Sequence, residues 1–157
     1  MANSADQIES ACKLCYGAGG IVPCNFFTQG VARMLGIAVP GGNADEMVLA
    51  LSRQWRRAQD KAEVISLATG GGFIIAGLES SAFVPRPGHT VTHGHVCVVV
   101  QGEMGGYPHV FSTNDDKKPG AYGKSRGDHP LSGFVFAAQD AARVRYFVHA
   151  AGASGSW

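Results

Sequence analysis

The stretch Ile21-Val22-Pro23-Cys24-Asn25-Phe26-Phe27 sets a cysteine directly after a proline, at the mouth of what reads as a helix. A thiol at a helix start feels the positive end of the aligned peptide dipoles and the amide N–H groups that no helical carbonyl accepts. Both favour the thiolate. The same donors are suited to hold the oxyanion formed when a carbonyl is attacked. A nucleophile also needs a base within hydrogen-bond reach. Of the six histidines, His95 opens the apolar run HVCVVV directly after Gly94, where a rigid strand can carry an imidazole to the edge of a cleft. On an alternating strand His93 faces the same side, so it either lines that cleft or is simply exposed. Cys97 shares this parity but lies deeper in the apolar run and reads as packing.

Two further thiols, Cys12 and Cys15, form a C-x-x-C on a helical stretch with no second pair. They are incidental thiols, a redox pair or half a zinc site; one C-x-x-C does not choose among these. The length of 157 residues suits a single domain spanning residues 1–157, and the 45% apolar content suits a packed core. A net charge of +1 without a Lys/Arg stripe argues against nucleic acid as a partner. The N-terminal MANSADQIESACK has neither the basic start nor the apolar core of an export signal. No apolar run is long enough for membrane insertion.

The elements that must position Cys24 and His95 follow from periodicity. Residues Ala5–Tyr16 read as a helix stopped by Gly17-Ala18-Gly19-Gly20. From Cys24 to Gly36, Phe27, Val31, Met34 and Leu35 share one helical face. After the Pro40-Gly41-Gly42 turn, Asn43 is an N-cap for a helix expected to run to about Ala58, and Lys61–Ala68 forms a shorter one. The pattern then turns extended: Phe73–Leu78, His95–Val100, Tyr107–Ser112, Gly133–Ala137 and Val144–His149 are expected strands, with Thr113–Leu131 as a long surface loop. Helices first and strands second imply an α+β domain with helices packed on a small antiparallel sheet.

A nucleophile helix followed by a sheet bearing the base resembles the layout of papain-like cysteine peptidases. More specifically, CNFFTQGVARMLGIAVPGGNADEMVLAL resembles the core of the type VI secretion peptidoglycan amidase effectors, whose fold is similar to the NlpC-type cell-wall peptidases. Cys24, Gly36, Pro40, Gly42, Asn43 and Ala44 match the family pattern. GFIIAGL, GHVCVVV and VRYFVH match its first two strands and its closing strand, so the likeness spans Ala11 to His149. The resemblance implies that Cys24 is the nucleophile, His95 the base, and that an orienting group comes from the strand YPHVFST. Ser112 sits at the matching place, and Asn114 and Asp115 are the alternatives. His93, Asn25 and Asn114 are the expected substrate contacts. Cys12 matches a cysteine in a relative's first helix, and with no cysteine near the C-terminus a bridge joining the two ends is excluded.

The implied activity is hydrolysis of amide bonds in peptidoglycan stem peptides, the γ-D-glutamyl–diaminopimelate bond being favoured over the diaminopimelate–D-alanine crosslink. No cofactor is expected. The loops Ser80–Thr90 and Thr113–Leu131 would shape the groove, with Lys117, Lys118, Lys124 and Arg126 either meeting an acidic peptide or solvated. An immunity protein covering Cys24 and the type VI secretion apparatus are the implied partners. The implied itinerary is synthesis in the cytoplasm and action in the recipient's periplasm. Two other classes remain open: a zinc module using Cys12, Cys15, Cys24 and a histidine, and a non-catalytic domain that only holds cell-wall peptides.

Overall fold

A computed structural model describes residues 3–88, 90–115 and 123–150. Helix α1 (Ala5–Tyr16) starts at Ser4, whose hydroxyl accepts the Gln7 N–H at 3.1 Å while the Gln7 side chain accepts the Ser4 N–H at 2.7 Å. Helix α3 (Ala44–Gln54) has the same reciprocal box between Asn43 and Glu46, and Asp60 caps α4 (Lys61–Thr69). Helix α2 (Cys24–Met34) is different. Pro23 occupies its cap position and offers no side-chain acceptor, so the first amides of α2 are left for other partners. A short helix α5 (Ala138–Ala141) lies late in the chain.

The strands β1 (Arg56–Arg57), β2 (Ile74–Leu78), β3 (His95–Met104), β4 (Tyr107–Ser112), β5 (Ser125–Pro130) and β6 (Arg145–Val148) form one six-stranded antiparallel sheet in the order β1-β6-β2-β3-β4-β5. This is the expected α+β architecture. Alternation along β3 divides its side chains between two cores. Val96, Val98 and Val100 join Phe27, Val31, Met47 and Leu51 from α2 and α3 on one face. Cys97 and Val99 join Val64 and Ala68 of α4, together with Leu131, Phe136 and Ala141, on the other. With both faces covered, the central strands read as continuous apolar runs rather than alternating ones. Each fully buried valine contributes roughly 1.5–3 kcal/mol. The His95 end of β3, buried from His95 to Val100, is therefore firmly anchored in the sheet. No helix among the described residues is long and apolar enough to cross a membrane.

Three expectations are corrected. The third helix stops at Gln54 rather than near Ala58, because Arg56 and Arg57 pair with Val148 and Phe147 at the sheet edge and the Ala58 N–H reaches the Tyr146 carbonyl. The stretch Thr113–Leu131 is not all loop: Ser125–Pro130 is a strand held by the β4 ladder, and the Ser125 hydroxyl donates to the Val110 carbonyl at 2.7 Å. Lys117 and Lys118 lie outside the described residues. The strand expected over Gly133–Ala137 is instead a wide turn, Leu131–Val135, closed by Phe136 N–H on the Leu131 carbonyl, with Gly133 at φ 85°.

Candidate active site

Cys24 is the first residue of α2 and is half-buried against the helical-side core. The backbone N–H groups of Val96, of Asn25 and of Cys24 itself favour negative charge on its sulfur. The last two are amides that Pro23 leaves uncapped. The first belongs to the residue after His95. The β3–β4 ladder begins at Val98 opposite Phe111, so the Val96 amide lies beyond it, at the end of the sheet where the two strands part. Packing thus brings the uncapped start of one helix onto the His95 end of β3.

His95 is fully buried, on the opposite face of β3 from Val96, with its ring edge-on to Phe136 at 5.5 Å between centroids. Its Nε2 lies 2.7 Å from Ser112 Oγ, and Ser112 is also fully buried. Ser112 Oγ donates to the Gly123 carbonyl at 2.8 Å. A hydroxyl has one proton. Because Gly123 takes it, the Ser112 oxygen must accept from His95, which puts the imidazole proton on Nε2 and the basic lone pair on Nδ1. Among the three side chains considered as the imidazole's partner, Ser112 meets it at hydrogen-bond distance. The Asn114 backbone N–H instead reaches the Gly20 carbonyl at 3.1 Å, tying the exit of β4 to the loop before Cys24.

Burial decides the protonation states. It pushes the Cys24 thiol above its ordinary value of 9.0, with the negative charge of Asp115 adding slightly and the three amides opposing it. Burial also lowers His95 from 6.5 to about 3. The resting pair is therefore neutral thiol and neutral imidazole, which corrects the thiolate expected from the helix start alone. The dipole and the amide donors are present, and desolvation outweighs them.

The expected substrate contacts fall in different places. The Asn25 side chain donates to the Gly42 carbonyl at 3.0 Å and pins α2 to the turn before α3. His93 is exposed and precedes β3, so strand alternation does not govern it. Cys12, Cys15, Cys24 and Cys97 are all free thiols. Cys97 is buried and its pKa raised by that burial. Among the described residues no group of three or more His, Cys, Asp or Glu side chains is arranged to hold a metal ion. The Val96 amide, the Gly123 carbonyl and Phe136 were not foreseen. Two are backbone groups with no side-chain signature, and Phe136 lies in the stretch read as a strand.

No protein-family model matches the chain. The chain is 33% identical over 156 residues to the peptidoglycan amidase Tse1 of Pseudomonas aeruginosa, an alignment that covers 94% of this chain and 92% of that protein. With motifs matching from the first helix to the last strand, the chain belongs to the Tse1 family of peptidoglycan amidase effectors.

Proposed function

We propose that this protein is a cysteine amidase that cuts peptidoglycan stem peptides, with Cys24 as nucleophile, His95 as general base and acid, and Ser112 as the residue that orients the imidazole. The observation that carries this reading is Cys24 at the uncapped start of α2, together with a buried His95 whose Nε2 is held by Ser112 and Gly123. The relative's activity on peptidoglycan supplies the substrate class.

The chemistry follows from the neutral pair. The thiol proton passes to His95 Nδ1 as the sulfur attacks the amide carbonyl, so charge develops only as the bond forms. The amides of α2 are positioned to stabilise the carbonyl oxygen as it becomes negative. Collapse breaks the C–N bond, and the proton on Nδ1 goes to the leaving amine. Water, deprotonated by Nδ1, then hydrolyses the thioester and regenerates the thiol. Throughout, the Ser112–Gly123 chain keeps the proton on Nε2 and the lone pair on Nδ1.

The γ-D-glutamyl–diaminopimelate bond is the favoured target, with the diaminopimelate–D-alanine crosslink as the alternative. The protein is read as a single domain, exported by the type VI apparatus to act in a recipient's periplasm. It would be restrained in its producer by an immunity protein. Ile21 and Phe26 flank Cys24 in the chain and are 60% and 61% exposed, which would give such a plug an apolar foothold.

Incubation of the wild type and Cys24→Ala with purified muropeptides, followed by fragment mass analysis, tests nucleophile, substrate and bond together. Release of fragments by the wild type alone is the expected result. Equal release by both, or by neither, rejects the proposal, and a co-expressed neighbour that leaves Cys24 open to thiol reagents rejects the immunity reading.

A further inference from the structure

Asp45 lies in the first turn of α3, where its charge suits the helix dipole, yet both carboxylate oxygens are committed elsewhere. Oδ1 accepts the Ser80 backbone N–H at 2.8 Å and Oδ2 accepts the Ser80 hydroxyl at 2.5 Å. Oδ1 also presses on Gly94: a Cβ added there would sit 2.3 Å from it and 2.7 Å from the Leu78 carbonyl. Ser80 follows the end of β2 and Gly94 precedes His95, which pairs with Leu78. One carboxylate therefore closes the neck of the β2–β3 connection. Gly77 lets α3 come this close, since a Cβ there would stand 2.8 Å from Val48 Cγ2. The other end of this strut reaches the nucleophile. Asn25 and Gln29 of α2 both donate to the Gly42 carbonyl at 3.0 Å, one residue before the Asn43 cap of α3.

We propose that Asp45 is a positioning residue that sets the separation of Cys24 and His95, by holding the β2–β3 neck against the helix start to which α2 is fastened. This rests on the reading of Cys24 and His95 as the reacting pair. Reacting groups displaced by about 1 Å can lose about 100-fold in rate, so a strut joining the helix of one to the strand of the other controls turnover without touching substrate.

The test uses Asp45→Ala, Asp45→Asn, Ser80→Ala and the Asp45→Ala/Ser80→Ala double variant. Three quantities are read on each: kcat and KM on muropeptides, the pH dependence of Cys24 alkylation by iodoacetamide, and thermal denaturation. Asp45→Ala is expected to lower kcat about 10- to 100-fold with KM within about 3-fold, and to displace the alkylation profile from that of the wild type. Asp45→Asn, which keeps an acceptor for Ser80 N–H, should recover part of the loss. The double variant should be no worse than Asp45→Ala. If Asp45→Ala does not fold, Asp45→Asn and Ser80→Ala carry the test, with smaller effects of the same kind. Folded variants with wild-type kcat and alkylation profile overturn the proposal, as does a loss of kcat that merely follows the unfolded fraction. Alkylation needs no turnover. Full activity in Cys24→Ala would thus overturn the catalytic reading separately from the Asp45 result.

Discussion

The starts of α2 and α3 present the same unpaired amides and finish them in opposite ways. At α3, Asn43 and Glu46 satisfy each other's backbone donors, and the helix end is closed. At α2, Pro23 supplies no acceptor, and the amides of Cys24 and Asn25 are left to favour negative charge on the Cys24 sulfur. A closed start is worth about 1 kcal/mol to the fold. An open one gives up that gain and keeps donors aimed where negative charge would appear. The two starts are also joined: Asn25 and Gln29 of α2 bond the carbonyl of Gly42, just ahead of the α3 cap. The closed helix end thus serves as the rigid reference against which the open one is set.

The most severe way to break this comparison is to remove the group that uses the open start. Cys24→Ser retains a polar atom on the same amides but replaces the thiol with a far weaker nucleophile. Amidase activity on muropeptides is expected to fall by at least about 1,000-fold, with thermal stability little changed. Survival of more than a tenth of the activity would show that the sulfur at this helix start is not the attacking atom.

The next effect separates the two ends of the site by pH. His95 has its folded pKa lowered from 6.5 to about 3 by burial, so the unfolded chain binds its proton more readily. Stability contributed by the neutral imidazole is fully present above about pH 6.5 and is lost as pH falls toward 3. The total amounts to roughly 5 kcal/mol if the site stays closed. His149, also lowered by burial, adds in the same direction. The thiols of Cys12, Cys24 and Cys97, raised by burial, act at the other extreme: the stability they add is present below about pH 9 and is lost on further alkalinisation. Urea midpoints measured from pH 7 to 4 should fall steeply for the wild type and much less for His95→Gln. Equal slopes would mean that the imidazole is not sealed from water.

How far the sequence carries depends on whether a feature is local. The strand at His95 was legible because HVCVVV is an apolar, β-branched run, and the α3 start because Asn43, an N-cap residue, follows the Pro40-Gly41-Gly42 turn. Ser112 came from the family resemblance, which puts the orienting group on the strand after His95, and not from any local signal. The strand Ser125–Pro130 was not legible, since SRGDHP has no apolar alternation and exists as a strand only through its pairing with β4. The protonation of Cys24 was misjudged for a related reason. The helix start is written locally, whereas the desolvation that outweighs it comes from packing against β3. Asp45 likewise carries no local sign that its partners lie at Ser80 and Gly94.

A smaller effect tests the imidazole's orientation. Ser112→Ala removes the acceptor for His95 Nε2–H, leaving a buried donor unsatisfied at a penalty of about 1–3 kcal/mol. It also frees the ring to adopt the other tautomer, in which Nδ1 carries the proton and cannot take one from the thiol. Turnover should fall about 10-fold, and Ser112→Thr, which keeps the hydroxyl, should recover part of it. An unchanged rate in Ser112→Ala would assign the imidazole's orientation to Phe136 and the surrounding packing.

The finest test converts one kind of helix start into the other. Pro23→Ser gives α2 a hydroxyl that can accept the Asn25 or Phe26 N–H, as Ser4 and Asn43 do for their helices. The new cap contributes about 1 kcal/mol. Loss of the proline's restriction on the unfolded chain takes away about 0.4–1 kcal/mol. The two nearly cancel, and the melting temperature should scarcely move. What should change is the thiol, which now competes with an oxygen for a donor that helps to stabilise its anion. Alkylation of Cys24 at fixed pH is expected to slow about 5-fold, corresponding to about 1 kcal/mol. The reciprocal variant, Asn43→Ala, should lose about 1 kcal/mol of stability and leave the alkylation rate within about 2-fold. Because stability moves in one variant and thiol reactivity in the other, the pair separates a cap that serves the fold from an opening that serves the sulfur. Alkylation unchanged in Pro23→Ser would mean that the Val96 amide alone sets the thiol's reactivity, and that the bare start of α2 reflects only the proline's fit to the first turn.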